Sequence, residues 1–344
     1  MRVRCRAALL GLIILTGGYS SRSAAAQSVP RQRIDESTFV TLGGLEQYIT
    51  IHGDRRSNLI LLVVHGGPGD PQSPFRAEYS AYEHDFTVVQ WDQRGSGRTF
   101  GRYKDRTPNL TLEQIVSDGV ELAQYLTRHL TQNKILVLGH SWGSVVATEM
   151  VQKRPELFAA YIGTGQVGSW DRGLRFQKDF VRKRAGDEGN QEAVSAIDSI
   201  QNFDPGNLQH FLAVNRFLRG YFGKADREWL SSLRDRTQRA TSPAEAQEIG
   251  AGMNLSGQAL YPAVIREDLF AGAKNFQVPV YVIQGREDVS TPTPVATDYF
   301  NSIQAPSKKL FVIDEAGHFA LVTHQTDFLR ILQGIVREVR SLPN

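Results

Sequence analysis

The stretch that most constrains this chain runs from Lys134 to Met150 and reads KILVLGHSWGSVVATEM. It begins with the apolar run 135–138, which is typical of a buried strand, and it ends in small residues compatible with a helix. Between the two, Gly139, Ser141 and Gly143 form the pattern G-x-S-x-G. Glycines on both sides of a serine permit a turn too tight for a Cβ atom. The stretch therefore predicts a strand, a sharp turn and a helix, with the Ser141 hydroxyl held above the edge of a sheet.

Apolar runs of strand length alternate with helical patterns on both sides of this stretch. The strand candidates are 39–51 (a hairpin that turns at 41–44), 58–65, 86–91, 159–163, 278–284 and 309–313. Amphipathic helices are predicted from 112 to 130 and from 326 to 340. Strands alternating with helices predict an α/β fold with a mostly parallel central sheet and flanking helices. In such sheets ligands bind outside the carboxyl ends of the strands, and Ser141 follows one such end.

The alternation of strand and helix patterns stops between about residues 169 and 272. Charged, amphipathic segments broken by Gly and Pro replace the apolar runs, and no convincing buried strand is found. This segment predicts an inserted helical cap. The core would then consist of 27–168 and 273–344.

The N-terminus has the features of a secretory signal peptide. Three arginines between positions 2 and 6 precede an apolar stretch, 7–15, that is too short to span a bilayer. Small residues at Ala24 to Ala26 match the positions that a signal peptidase reads, so cleavage is expected after Ala26. This predicts a signal peptide over 1–26 and a secreted or periplasmic protein without a stable membrane span after cleavage.

Removal of this segment changes the charge and the cysteine count. The full chain has a net charge of +3, and residues 1–26 carry four arginines and no acid, so the remainder has a charge of +3 − 4 = −1. The excess of positive charge thus belongs to residues 1–26, and the charge of the remaining chain gives no reason to expect a nucleic-acid partner. The single cysteine, Cys5, also leaves, so the mature chain offers no thiolate nucleophile. No His, Asp or Glu group has a metal-ligand spacing, and neither a metal nor another cofactor is predicted. The sequence leaves the oligomeric state open.

A serine hydroxyl needs a base to become a nucleophile, and the base needs a group that orients it. G-x-S-x-G between a strand and a helix is the nucleophile elbow of α/β-hydrolases, in which an acid and then a histidine follow in chain order. Asp288 follows the strand that ends at Gln284, with Glu287 as the near alternative, and His318 follows the strand that ends at Ile313. Two strand ends therefore deliver the missing partners in the required order. We predict a triad of Ser141, His318 and Asp288.

Charge that develops on a carbonyl oxygen requires an oxyanion hole. One donor should be the backbone N–H of Trp142, directly after the serine. The other should come from the loop 65–69, which reads HGGPG and follows a predicted strand. Gly67 is the expected donor and Gly66 the alternative, while His65 is expected to hold the loop in place.

Three motifs together resemble the proline iminopeptidase (prolyl aminopeptidase) family of α/β-hydrolases. They are HGGPG at 65–69, WDQRGSGRT at 91–99 and GHSWGS at 139–144. The resemblance covers roughly 40–168 and 273–340, and it implies a helical cap and the hydrolysis of an N-terminal prolyl residue from small peptides. It also implies that 92–99 supports the elbow.

The cap departs from this family. The resemblance implies that peptidase members bind the free amino group of the substrate through cap carboxylates, one of them in a segment similar to Arg-Ile-Glu-x-x-Tyr-Phe. No such segment is found here. A cationic amine taken out of water needs a charged partner, and four cap carboxylates are candidates, with no basis for a choice: Asp204, Glu228, Glu245 and Glu248.

The sequence thus predicts a secreted, cofactor-independent serine hydrolase that resembles proline iminopeptidases and acts on a small peptide, ester or amide. An esterase or lactonase that acts on a non-peptide carbonyl is the alternative within this class. A small-molecule binding or sensing protein on the same fold is the alternative from another class.

Overall fold

The structure is a computed structural model that describes residues 32–341. The predicted signal peptide over 1–26 and its cleavage site after Ala26 lie outside the described residues. Within them, no helix is both long and apolar enough to cross a membrane.

Eight strands form one sheet in the order β1-β2-β4-β3-β5-β6-β7-β8. The hairpin β1–β2 is antiparallel and joins β4 antiparallel, whereas β3 to β8 run parallel. The strands are β1 (Ile34–Leu42), β2 (Leu45–Gly53), β3 (Leu59–Val64), β4 (Phe86–Trp91), β5 (Ile135–His140), β6 (Phe158–Thr164), β7 (Val280–Gly285) and β8 (Lys308–Ile313). The predicted mostly parallel α/β sheet is confirmed.

Thirteen α-helices in the described residues accompany the sheet. They are α1 (Gly97–Tyr103), α2 (Leu112–His129), α3 (Trp142–Lys153), α4 (Trp170–Asp187), α5 (Gln191–Asp198), α6 (Leu208–Leu218), α7 (Lys224–Ser231), α8 (Leu233–Ala240), α9 (Pro243–Val264), α10 (Leu269–Gly272), α11 (Thr293–Ser302), α12 (Ala320–Thr323) and α13 (Gln325–Ser341). The seven from α4 to α10 lie between β6 and β7, and we call them the cap.

The central strands are buried on both faces because helices cover both sides of the sheet. Along β5, Ile135 and Val137 point into one apolar cluster and Leu136 and Leu138 into another. This alternation follows from the two-residue period of a strand. A continuous apolar run is therefore what such a strand requires.

The cap leaves and re-enters the core at one point. An antiparallel bridge pairs Ser169 with Asp268, and the backbone N–H of Trp170 donates to the Glu267 carbonyl at 3.0 Å. The cap has an apolar cluster of its own, which Val289 of the core joins. Residues from Gln32 onward form one compact unit, so the division into core and cap domains stays a prediction.

Candidate active site

Ser141 lies in the turn between β5 and α3, with φ +55° and ψ −125°. A positive φ is uncommon for a residue with a Cβ, and such strain persists only where the surroundings enforce it. A Cβ on Gly139 would lie 2.5 Å from the Gly143 carbonyl oxygen, and one on Gly143 would overlap the Val64 carbonyl. Gly139 therefore allows β5 to pack against the start of α3, and Gly143 allows the elbow to pack against the end of β3.

The loops after β7 and β8 bring Asp288 and His318 together. His318 Nδ1 lies 3.0 Å from Asp288 Oδ2. Asp288 Oδ1 accepts hydrogen bonds from the backbone N–H groups of Ser290 and Thr291, both at 2.9 Å. Glu287, the near alternative, is exposed beside the cap. Of the two acids, the structure thus brings Asp288 to the imidazole.

Burial and the neighbouring carboxylates have opposite effects on the pKa of His318. Burial lowers the pKa of the imidazole, but the charge and hydrogen bond of Asp288 and the charge of Asp226 outweigh it, so that the pKa is raised. Because Nδ1 is engaged with Asp288, Nε2 is the nitrogen left for proton transfer. Among residues 32–341, Ser141 Oγ makes no hydrogen bond; contacts of this kind commonly tighten only when substrate binds.

The loop 65–69 packs directly against the elbow. A Cβ on Gly66 would lie 3.0 Å from the Cβ of Ser141, and Gly67 has φ +111°. His65 holds this loop, because its Nδ1 donates to the Gly66 carbonyl at 2.9 Å and its Nε2 accepts from the backbone N–H of Gln93 at 3.3 Å. Burial lowers the pKa of His65 to about 4, so the imidazole is neutral at pH 7.

Ser141 opens into a cavity of about 280 Å³ between core and cap. Gly67 and Trp142, the predicted oxyanion donors, line it together with Ser141. The backbone N–H of Trp142 opens α3 and has no acceptor within that helix. A second, largely apolar chamber of about 480 Å³ shares part of this lining. The shared residues are Gly67, Trp170, Phe211 and Val264.

Two charged residues, Glu267 and Arg219, line the Ser141 cavity. Glu267 is half-buried at the root of the cap, and burial together with the negative charges of Glu149 and Glu113 raises its pKa to about 7. Among the described residues it takes part in no salt bridge. Sequence reasoning missed it, because no local pattern marks a residue that the Ser169–Asp268 bridge carries to the cavity.

None of the four cap carboxylates considered from the sequence lines this cavity. Two of them pair with core cations, Glu245 with Arg98 at 3.0 Å and Glu248 with Lys104. The other two lie at the surface of the cap, where Glu228 faces Lys224 and Asp204 accepts from the backbone of Gly206.

The segment expected to carry a cap glutamate is present in altered form. Arg216, Tyr221 and Phe222 keep the spacing of Arg-Ile-Glu-x-x-Tyr-Phe, but the glutamate of that segment is absent from this chain. Leu218 stands at the position of the glutamate and is buried in the apolar cluster of the cap. The chain thus lacks this carboxylate, although it keeps the surrounding pattern.

A second missed residue is Asp226, which α7 carries from the cap to the backbone of His318. Its Oδ2 accepts from the His318 N–H at 2.5 Å, and its Oδ1 accepts from the Phe319 N–H at 3.2 Å. The partners are 92 residues apart in sequence, so the contact has no local signal.

Comparison with known proteins agrees with this geometry. A sequence profile for the alpha/beta hydrolase fold matches residues 60–325, most of the chain. The chain belongs to the α/β-hydrolase family.

Within that family it belongs to the proline iminopeptidase-like group. A proline iminopeptidase of Lactobacillus crispatus is 32% identical over 298 residues, 84% of this chain and 94% of that relative. A probable aminopeptidase of Bacillus subtilis, YbaC, is 28% identical over 290 residues, 81% of this chain and 89% of the relative. The solved structure of a proline iminopeptidase-related protein from Thermus thermophilus has a TM-score of 0.63 at 21% identity and covers 89% of this chain and 98% of that one, a likeness that concerns the fold alone. The predicted family and fold class are confirmed.

Proposed function

We propose that this protein is an exported, cofactor-independent serine hydrolase that cleaves an N-terminal residue, prolyl in the first place, from small peptides. The observation that carries the proposal is that Glu267, an acidic residue without a salt-bridge partner among the described residues, lines the same cavity as Ser141. A serine nucleophile and a free anion in one small cavity suit a substrate with a cationic amine near its scissile carbonyl.

In the proposed mechanism, Ser141 Oγ attacks the carbonyl carbon while His318 Nε2 takes its proton. Asp288 holds the imidazole through Nδ1 and stabilises the positive charge that forms on it. The backbone N–H groups of Gly67 and Trp142 donate to the oxyanion of the tetrahedral intermediate. The proton on His318 then passes to the leaving amine, the C–N bond breaks, and water hydrolyses the acyl-enzyme by the same steps.

Glu267 gives this proposal a pH dependence. An α-amino group has a pKa near 8 and is cationic below pH 7, so the ionisation of Glu267 limits the pairing there. With a pKa of about 7, the carboxyl is mostly charged at pH 8 and mostly neutral at pH 6. The KM for a free-amine substrate is therefore expected to rise as the pH falls through 7.

The test compares prolyl 4-nitroanilide with its N-acetyl derivative, which has no charged amine. We expect cleavage of the free amine only, and a KM that Glu267→Gln raises about 10- to 100-fold, as for loss of a charged hydrogen-bond partner. Glu228→Gln, at an exposed cap carboxylate, is the matched control and should behave as the wild type. Equal cleavage of both anilides, or no effect of Glu267→Gln, would contradict the peptidase assignment.

Substitution of the nucleophile separates an enzyme from a binding or sensing protein. Ser141→Ala should abolish turnover of 4-nitrophenyl acetate, and a fluorophosphonate probe should label the wild type but not the variant. A wild-type protein that stays unlabelled would favour the binding protein, and turnover by Ser141→Ala would exclude Ser141 as the nucleophile.

A second candidate is an esterase or lactonase for an anionic, non-peptide substrate. Leu218 at the position of the family glutamate and the presence of the cationic residue Arg219 in the lining of the cavity favour it. In that case the 4-nitrophenyl half-ester of succinate should be cleaved faster than 4-nitrophenyl acetate, with the advantage lost in Arg219→Gln. Prolyl 4-nitroanilide should then remain uncleaved.

Export is part of the proposal and rests on the sequence of residues 1–26. Expression of the full chain in a bacterial host should give a periplasmic or secreted protein. N-terminal sequencing is expected to start at Gln27, whereas a start at Met1 would exclude cleavage.

A further inference from the structure

Helix α7 of the cap contacts the core at His318 and Phe319. Asp226 is 1% exposed, and its two carboxylate oxygens accept from the backbone N–H groups of both residues. One turn further on, Trp229 stacks on the Phe319 ring with centroids 4.3 Å apart. Residues three apart share one face of a helix. One face of α7 thus contacts the backbone of His318 and Phe319 and the side chain of Phe319, next to the imidazole.

The approach of Asp226 is close enough to restrict the loop that carries His318. A Cβ on Gly317 would overlap the Asp226 carboxylate, so glycine is required there. Movement of the loop away from the cap would leave the buried Asp226 carboxylate without these two donors, which is unfavourable. Asp226 therefore fixes the backbone from which the imidazole extends.

Asp226 also places a second carboxylate beside the imidazole; burial raises the pKa of this carboxyl, and the charge of His318 and the two backbone N–H groups oppose that rise. Three titratable groups face His318: Asp288 on Nδ1, Asp226 on the backbone, and His140, whose Nε2 donates to the His318 carbonyl at 3.0 Å. Burial is the main cause that lowers the pKa of His140 to about 3, so this imidazole is uncharged at pH 7. The two carboxylates are then the charges that favour imidazolium.

We propose that Asp226 is a positioning residue of the cap, which holds His318 at Ser141 and stabilises its protonated form, so that the base is competent only when α7 is seated on the core. This rests on the proposed role of His318 as the base. It couples the cap to the catalytic step, beyond its part in lining the cavity.

The experiment measures kcat and KM for 4-nitrophenyl acetate from pH 5 to 9, because this neutral ester has no titrating group and no amine for Glu267. Asp226→Asn keeps the size of the side chain but removes its charge and one acceptor. We expect kcat to fall about 10- to 100-fold, less than the roughly 100- to 10,000-fold that a general base contributes, because Asp288 still holds the imidazole; KM should change little. The base must be neutral, so loss of a charge that raises its pKa should move the acid limb of kcat/KM to lower pH, by about one unit.

A purely structural role predicts a different result. If Asp226→Asn is folded and its acid limb stays at the wild-type pH, or if kcat is unchanged, the proposal is overturned. Glu228→Gln, on the exposed face of the same helix, is the control and should leave both quantities unchanged.

Trp229→Leu keeps the proposal testable where Asp226→Asn does not fold. This substitution removes the stacking on Phe319 but retains the Asp226 carboxylate. We therefore expect kcat to fall while the acid limb of kcat/KM stays at the wild-type pH. A folded Trp229→Leu with wild-type kcat would overturn the proposal. Failure of the proposed function has a separate signature, because wild type and Ser141→Ala would then hydrolyse the ester equally, whatever happens at Asp226.

Discussion

Arg94 is among the largest fully buried side chains in the described chain, and Asp118 makes its burial possible. The two form a bidentate pair at 2.9 and 3.1 Å. Arg94 also donates to the Pro108 carbonyl, and Asp118 accepts from the side-chain amides of Gln47 and Gln114. A buried ion pair is tolerated when its remaining donors and acceptors are satisfied in this way. Through Arg94 the loop 92–99 is thus joined to α2 and to the segment before it.

Asp118→Ala should destabilise the protein by about 3–5 kcal/mol, because it leaves the Arg94 guanidinium buried without its counter-ion. Urea unfolding followed by circular dichroism measures the change. Asp105→Ala, at an exposed aspartate, is the control and should stay within about 0.5 kcal/mol of the wild type. A similar small change in Asp118→Ala would show that the pair contributes little.

The residues of the candidate site differ in how far the sequence could identify them. Asp288 and His318 follow strand ends in a fixed chain order, so alternation and topology alone predict that they meet, and their side chains do lie in contact. Glu267 and Asp226 reach the site through the packing of the cap. No period, cap or turn pattern encodes such contacts, because they depend on how whole helices dock.

At the scale of elements, apolar runs predict buried strands well and exposed strands poorly. β4 begins and ends at the predicted residues, Phe86 and Trp91. β1 begins at Ile34, earlier than the predicted hairpin, because its first half reads IDEST and pairs only with β2 at the edge of the sheet. An edge strand makes few apolar contacts, so its sequence need not contain an apolar run. The sequence also predicts that the cap is helical, but it does not predict where the seven helices of the cap begin and end.

Helix α9 offers a matched pair of glycines for an element-scale prediction. A Cβ on Gly250 would meet no atom within 4 Å, whereas one on Gly252 would lie 2.9 Å from the Gly95 carbonyl and 3.1 Å from Phe100. Gly250→Ala should stabilise the protein by about 0.5–1 kcal/mol, because alanine loses less entropy in a helix. Gly252→Ala should destabilise it, because α9 must then move off the core loop. Equal effects of the two substitutions in thermal unfolding would contradict this close approach.

At the scale of the whole molecule, the cap is joined to the core by contacts on several sides. The Ser169–Asp268 bridge closes its root, Ser256 Oγ of α9 donates to the Gly95 carbonyl at 2.9 Å, and α7 holds the loop of His318. Val289 of the core completes the apolar cluster of the cap. A cap released from the core would expose this cluster and leave buried polar groups unpaired.

We therefore expect cap and core to unfold together, as the single compact unit from Gln32 onward suggests. Hydrogen exchange with mass spectrometry along a urea titration reports separately on peptides from α4–α10 and from the sheet. Both sets should lose protection at the same urea concentration, because the free energy that holds the cap helices is shared with the core. An earlier midpoint for the cap would mean that it opens as an independent unit. In that case the contact of Asp226 with His318 would break before the sheet unfolds, and the activity towards 4-nitrophenyl acetate would be lost at the lower midpoint.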